Sequence, residues 1–99
     1  MTALWIAHVH VIDAEAYGRY AKAAGPAIAA HGGVFLARGG RYRQMEGGDR
    51  SRNVVARFPS LEAAVACYES REYQAALEHA KGAAERDLVI VEETPPASE

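Results

Sequence analysis

The sequence predicts an α+β domain of the ferredoxin-like βαββαβ kind, a four-stranded antiparallel sheet with helices on one face. Three observations predict it. Strand-like and helix-like apolar patterns alternate in the order strand, helix, strand, strand, helix, strand. Turn signals fall between them, at Gly32-Gly33, Gly39-Gly40, Gly47-Gly48-Asp49, Pro59-Ser60 and Gly82. The first strand is also too apolar on both sides for either to face water. If helices cover one side of the sheet, a second copy of the chain is expected to cover the other, pairing two sheets into a dimeric α/β barrel.

Residues 4–12 (LWIAHVHVI) read as the first strand, with Trp5, Ala7, Val9 and Val11 on one face and Leu4, Ile6, His8, His10 and Ile12 on the other. Asp13 is a natural N-cap, because its carboxylate accepts the unpaired amide hydrogens of a first helical turn. Tyr17, Tyr20, Ala21, Ala24, Ile28 and His31 then recur at helical spacing. Pro26 removes a donor and predicts a kink, and Gly32-Gly33 predicts the helix end. Val34 to Arg38 is a second strand, and Arg41 to Glu46 is expected to resume extended structure after the Gly39-Gly40 turn. Residues 53–58 form a third strand.

Ser60 caps a second helix whose apolar face is Leu61, Ala64, Val65 and Tyr68. Ser70 reads as a fresh cap inside it, so a bend is predicted before Tyr73, Ala76, Leu77 and Ala80. Gly82 stops this piece, and residues 88–92 are the last strand. Residues 1–93 thus form a single domain, and residues 94–99, with two prolines and no core side chain, are expected to be a disordered tail.

With 99 residues, 49% hydrophobic and 24% charged, the chain has room for one ordinary core. A formal net charge of -2 excludes polyanion binding by bulk field. The charge is uneven, however: six of the 11 basic residues lie between Arg38 and Arg57, opposed there only by Glu46 and Asp49. Cys67 is the single cysteine, which excludes an intrachain disulfide and fits a reducing compartment, so a cytoplasmic location is expected. No basic segment leading into a long apolar run opens the chain, so no signal peptide is expected. No apolar run approaches the roughly 18–20 residues that span a bilayer.

The segments Trp5-Ile6-Ala7-His8-Val9, Asp13-Ala14-Glu15-Ala16-Tyr17, Gly33-Val34-Phe35-Leu36-Ala37-Arg38-Gly39-Gly40 and Phe58-Pro59-Ser60-Leu61-Glu62-Ala63-Ala64 resemble, in order, those of the bacterial domain-of-unknown-function family DUF1330. Tyr68-Glu69-Ser70, Glu72-Tyr73-Gln74 and Asp87-Leu88-Val89-Ile90-Val91-Glu92 continue the likeness, which runs from about Trp5 to Glu92. The chain departs from that pattern at His10, where an acidic residue is usual, and at Arg71, where proline is. The resemblance implies a dimeric α/β barrel, similar in architecture to cofactor-free monooxygenases and muconolactone isomerases, and it implies no particular activity.

Chemistry-bearing residues are few. Arg38 and Arg57 are candidates to hold a carboxylate or phosphate, since a guanidinium in a partly dry pocket makes paired charge-assisted bonds. Arg57 is expected in the barrel interior, and the competing reading pairs both arginines with acids such as Glu92 or Glu93. His8 and His10, two apart on one strand face, are candidates for pocket lining or for proton transfer. They are weak metal ligands, because no third ligand is spaced nearby, so no metal and no cofactor are expected. Tyr17 and Tyr73 are candidate pocket residues, whereas Tyr20 and Tyr68 read as packing. Cys67 reads as a buried, inert thiol. The third strand lacks the paired aromatics of a base-stacking sheet, and no glycine pair has phosphate-loop spacing, so nucleic acid is not expected as a partner. Two functions remain: a dimer binding a small anionic metabolite, or a cofactor-independent oxygenase or isomerase of an aromatic or enolisable substrate. Spacing alone leaves open whether the chain is an enzyme.

Overall fold

The computed structural model describes residues 1–95. The elements run β1 (Ala3–Val11), α1 (Ala14–Ala30), β2 (Val34–Arg38), β3 (Arg52–Phe58), α2 (Leu61–Glu69), α3 (Arg71–Glu78) and β4 (Ala84–Glu92). The sheet order is β2-β3-β1-β4 with every neighbouring pair antiparallel, the ferredoxin-like arrangement. The described chain is an open sheet with all three helices on one face.

Alternation along β1 sets the core. Trp5 and Ala7 point toward the helices and are buried, while His8 and His10 point away and are exposed. Trp5 is the centre, its ring 5.6 Å from Phe58, 6.0 Å from Tyr68 and 5.1 Å edge-on from Tyr73. The opposite face carries Leu4, Ile6, Val55, Val89 and Val91, with Val89 56% and Val91 47% exposed. In one chain that apolar face is bare.

Asp13 accepts the amide hydrogen of Ala16 and starts α1, which continues through Pro26 to Ala30. Gly32 takes the left-handed conformation (φ 83°) that lets the Gly33 amide return to the Ile28 carbonyl at 2.9 Å. Ser70 ends one helix and starts the next. Its hydroxyl donates to the Cys67 carbonyl at 2.7 Å and accepts from the Tyr73 amide at 3.1 Å. Ser70→Ala removes both bonds at once and is expected to cost about 1 kcal/mol, lowering Tm by roughly 4–8 °C in a circular-dichroism melt. A melt unchanged within a degree would show that the bend holds without its cap.

Two expectations are corrected. Arg41 to Glu46 forms no strand, because β2 is already the sheet edge and the segment finds no partner to pair with. It is held instead by local polar bonds, such as Tyr42 donating to Asp49 at 2.8 Å. The last strand begins at Ala84 rather than residue 88, since it pairs with β1 along its full length, from Ala84 opposite Val11 to Glu92 opposite Ala3. Within the one chain described, the helices cover one side of β1. Of the tail, Thr94 and Pro95 have no regular structure, and residues 96–99 lie outside the described residues.

Candidate functional site

The site is built by rows of residues across the sheet. Val9 of β1 stands opposite Arg52 of β3 on one side and Arg86 of β4 on the other, so both arginines rise on the helix face. Their Cα atoms are two strand spacings apart, roughly 10 Å. In the next row Ala7 lies beside Val54, and Val54 opposite Arg38 of β2. Ala21 and Ala24 of α1 face this part of the sheet. Small side chains meet from both layers here, and they leave a slot lined by Ala7, Val54, Ala21, Ala24, Ile28, Phe35, Tyr17 and Tyr20 and ringed by Arg38, Arg52 and Arg86. Its free volume is about 20 Å³, room for one water.

Arg38 reaches this face through a β-bulge. Phe35 pairs with Ala56 and Arg38 with Val54, but the register shifts between Phe35 and Ala37. Residues three apart would point to opposite faces in a regular strand; the extra residue returns Arg38 to the side of Phe35. Its guanidinium lies 4.1 Å from the Phe35 ring centre and donates to the Ala21 carbonyl at 3.2 Å. The absence of a side chain at Gly25 makes room for this path, since a Cβ there would stand 3.2 Å from Arg38 Nη2.

At the other end is a polar cluster. Arg86 Nη2 donates to Tyr20 Oη at 2.9 Å and Tyr73 Oη at 3.1 Å, and the two hydroxyls share a 2.6 Å bond. The Arg86 guanidinium also lies 4.7 Å from the Tyr20 ring centre, and that of Arg52 5.7 Å from Tyr17. The Nε atoms of Arg52 and Arg86 are buried without a hydrogen-bond partner among the described residues. No carboxylate lines the slot. Among the described residues no carboxylate therefore stands against these three guanidinium groups, of which Arg52 and Arg86 are half-buried and Arg38 is exposed.

Burial pushes the Tyr20 hydroxyl well above the usual tyrosine range, with Tyr73 adding to it, and burial raises Tyr73 against the opposing pull of Arg86. Both folded-state values are raised, so the protonated pair contributes stability fully below pH about 10 and loses it as pH rises further. In an absorbance titration of the five tyrosines, two should stay protonated until the domain unfolds. Ionisation of all five near pH 10 with the fold intact would contradict this burial.

The predicted site residues fall on two sides of the sheet. Arg38 and Tyr17 line the slot, and Tyr73 reaches it only through its bond to Tyr20. His8, His10 and Arg57 stand on the bare face, so the constellation that joins them to Arg38 and Tyr17 does not form within one chain. Arg57 pairs with Glu93 at 2.6 and 3.1 Å, the ion-paired alternative. His8 Nδ1 meets Asn53 Oδ1 at 2.7 Å, and His10 is exposed opposite Glu85. Beside His8 an open recess of about 200 Å³ includes Arg50, which is already matched by Asp87 at 3.4 Å. Among the described residues no group of three His, Cys, Asp or Glu side chains is placed to hold a metal. Cys67 is fully buried, and burial pushes its thiol up to about 11.

Arg52, Arg86 and Tyr20 are slot residues that sequence reasoning passes over. Tyr20 occurs at core spacing, and Arg86 sits in the charged run Glu85-Arg86-Asp87, which reads as a loop. The available signal was the alternation of β4 extended backward from Ile90 and Leu88, which puts Arg86 on their face.

The model of the family described as domain of unknown function (DUF1330) matches residues 2–94. The chain belongs to this family. No curated protein matches it. Among solved structures it is similar to a protein of unknown function from Rhodopseudomonas palustris, with TM-score 0.77 at 22% identity over 96% of this chain and 84% of the other. It is also similar to SnoaB, a cofactor-independent oxygenase from Streptomyces nogalater, with TM-score 0.69 at 13% identity over 99% and 98% of the two chains. A third is a dimeric ferredoxin-like protein of unknown function from Thermobifida fusca, with TM-score 0.65 at 18% identity over 94% and 92%. At these identities the likeness establishes the fold that this DUF1330 chain shares with them. No helix among the described residues is long and apolar enough to cross a membrane.

Proposed function

We propose that this DUF1330 protein is a cytoplasmic homodimer that binds a small organic anion in the slot between α1 and the sheet. The observation that carries the reading is the ring of Arg38, Arg52 and Arg86 around an apolar space with no carboxylate, two of them with an unpartnered buried Nε. Burying a guanidinium without a matching acceptor is costly, and an anion entering the slot supplies that acceptor. Tyr17 and Tyr20 flank the charge, and Tyr73 holds Tyr20 in place.

The alternative of a cofactor-independent oxygenase or isomerase draws support from the fold of SnoaB. It needs a base at the slot. His8 and His10 are on the far face, and burial raises the hydroxyls of Tyr20 and Tyr73 above the usual tyrosine range, so the geometry favours binding over proton abstraction.

The dimer reading rests on the bare face. Ile6 sits at its middle, between Val55 and Val89, and an apolar face of this kind is stabilised by burial against a copy of itself. Sedimentation should give the mass of two chains, and Ile6→Glu should return it to one. A wild-type monomer at concentrations of tens of micromolar would remove the dimer while leaving the slot untouched.

The binding reading is tested by thermal shift against small carboxylates, phosphates and uncharged phenols. A ligand at about a hundred times its Kd adds about 2.7 kcal/mol, many degrees for a domain of this size. A shift confined to anions and reduced in Arg38→Ala is the expected result. Equal shifts from uncharged phenols, or none from any anion, would overturn it.

A further inference from the structure

We infer that the slot is a halide site, taking one chloride ion as the counter-ion of Arg52 and Arg86. This rests on the anion-binding reading above and adds to it a small inorganic ion that an organic anion has to displace.

The free space sets the size of the occupant. About 20 Å³ takes a single water or a single ion little larger, and the side chains around it are packed. Even a small carboxylate is several atoms larger and enters only if the slot opens. A monatomic anion is the class of anion that fits the space as it stands.

The donors set the sign of its charge. Arg52 and Arg86 both line the slot, and the Nε–H of each is buried without an acceptor among the described residues. A buried polar group left in this way calls for a water or an ion. Water would supply an acceptor but no charge, and no carboxylate lines the slot. Tyr20 and Tyr73 accept from Arg86 at 2.9 and 3.1 Å. Burial raises both hydroxyls, so they add no negative charge at neutral pH. An anion beside half-buried guanidinium groups is screened less than it would be in water, and its attraction is correspondingly stronger.

Direction favours a halide as well. Arg52 approaches from β3 and Arg86 from β4, on either side of Val9. A spherical ion accepts hydrogen bonds from any side, so it serves such donors without requiring the fixed spacing of two carboxylate oxygens. Among the halides, fluoride holds its water most strongly and loses most on entering a mostly apolar space. Chloride and bromide lose less. A bound chloride raises the apparent Kd of any organic anion that uses the same arginines, in step with chloride concentration.

The test uses bromide and chloride on the wild-type protein. Crystals grown without halide and soaked in sodium bromide should give an anomalous peak in the slot, within hydrogen-bonding distance of Arg52 or Arg86. In solution, the chloride-35 resonance should broaden on adding protein and saturate with chloride. Arg86→Met should raise the half-saturating concentration at least tenfold, and Arg52→Met serves the same purpose if the first variant does not fold. Water in the slot without an anomalous peak, bromide at surface sites alone, or broadening unchanged in the variant would overturn the halide site. If acetate or phosphate still raises the melting temperature, the anion reading above stands without it. No binding of halide, carboxylate or phosphate would overturn both.

Discussion

Arg86→Met should lower the affinity for a small organic carboxylate about 10- to 100-fold while leaving the domain folded. The substitution removes charge-assisted hydrogen bonds worth about 1.5–3 kcal/mol to a bound anion. It keeps an apolar stem of similar length, so the space beside Tyr20 stays filled. The hydroxyls lose a donor but not each other: the 2.6 Å bond between Tyr20 and Tyr73 needs no guanidinium. An unpartnered guanidinium nitrogen is also relieved, and replacing a buried charge by an apolar group of similar volume is often neutral or stabilising. The expected signature is therefore a divergence between weaker calorimetric binding and a melting temperature held or raised. Unchanged affinity would separate Arg86 from the ligand. A collapse of the melt would instead make it a structural arginine that organises the tyrosines.

Trp5→Ala is expected to be the most damaging single substitution in the core. Trp5 is 1% exposed and touches rings from β3, α2 and α3, so its removal opens a cavity that no single neighbour can fill. Truncations of buried tryptophan cost about 3–5 kcal/mol, against a total of roughly 5–15 kcal/mol for a domain. Urea unfolding followed by far-ultraviolet circular dichroism measures the loss directly, with Ile12→Ala as control. Ile12 is 61% exposed, and its truncation should stay within about 0.5 kcal/mol. A cost below 1 kcal/mol for Trp5→Ala would mean that the helices do not close over the sheet at this ring.

How far the sequence could be read depends on the range of the interactions involved. Element order, the Asp13 cap and the double role of Ser70 were legible because each rests on periodicity or on a bond between near neighbours in the chain. The strand starts were less so. At β4 the run Glu85-Arg86-Asp87 has the composition of a loop, and only pairing with β1 makes it strand. The site suffered most, because face assignment compounds over residues. Regular alternation from Val34 would set Arg38 on the same face as Arg57, the pair that the sequence reading expects to bind the anion. One inserted residue in β2 sends the two arginines to opposite sides of the sheet. A bulge leaves no composition signal, and here it divides a supposed single site between a slot and a bare face. Tyr20 reads as packing from its spacing and does pack; its hydroxyl is nevertheless a group that Arg86 meets.

Strand β3 has a consequence that follows from its alternation. Arg52 and Val54 belong to the slot, while Asn53 and Val55 belong to the bare face, so consecutive residues of one strand serve the proposed ligand site and the proposed dimer contact. The two equilibria share a backbone. If an occupied slot shifts this strand, the affinity of one copy for another changes by some factor, and thermodynamic reciprocity requires that dimerisation change ligand affinity by the same factor. A monomeric variant such as Ile6→Glu then measures more than assembly: the ratio of its ligand Kd to that of the dimer is the coupling constant between the two faces of the sheet.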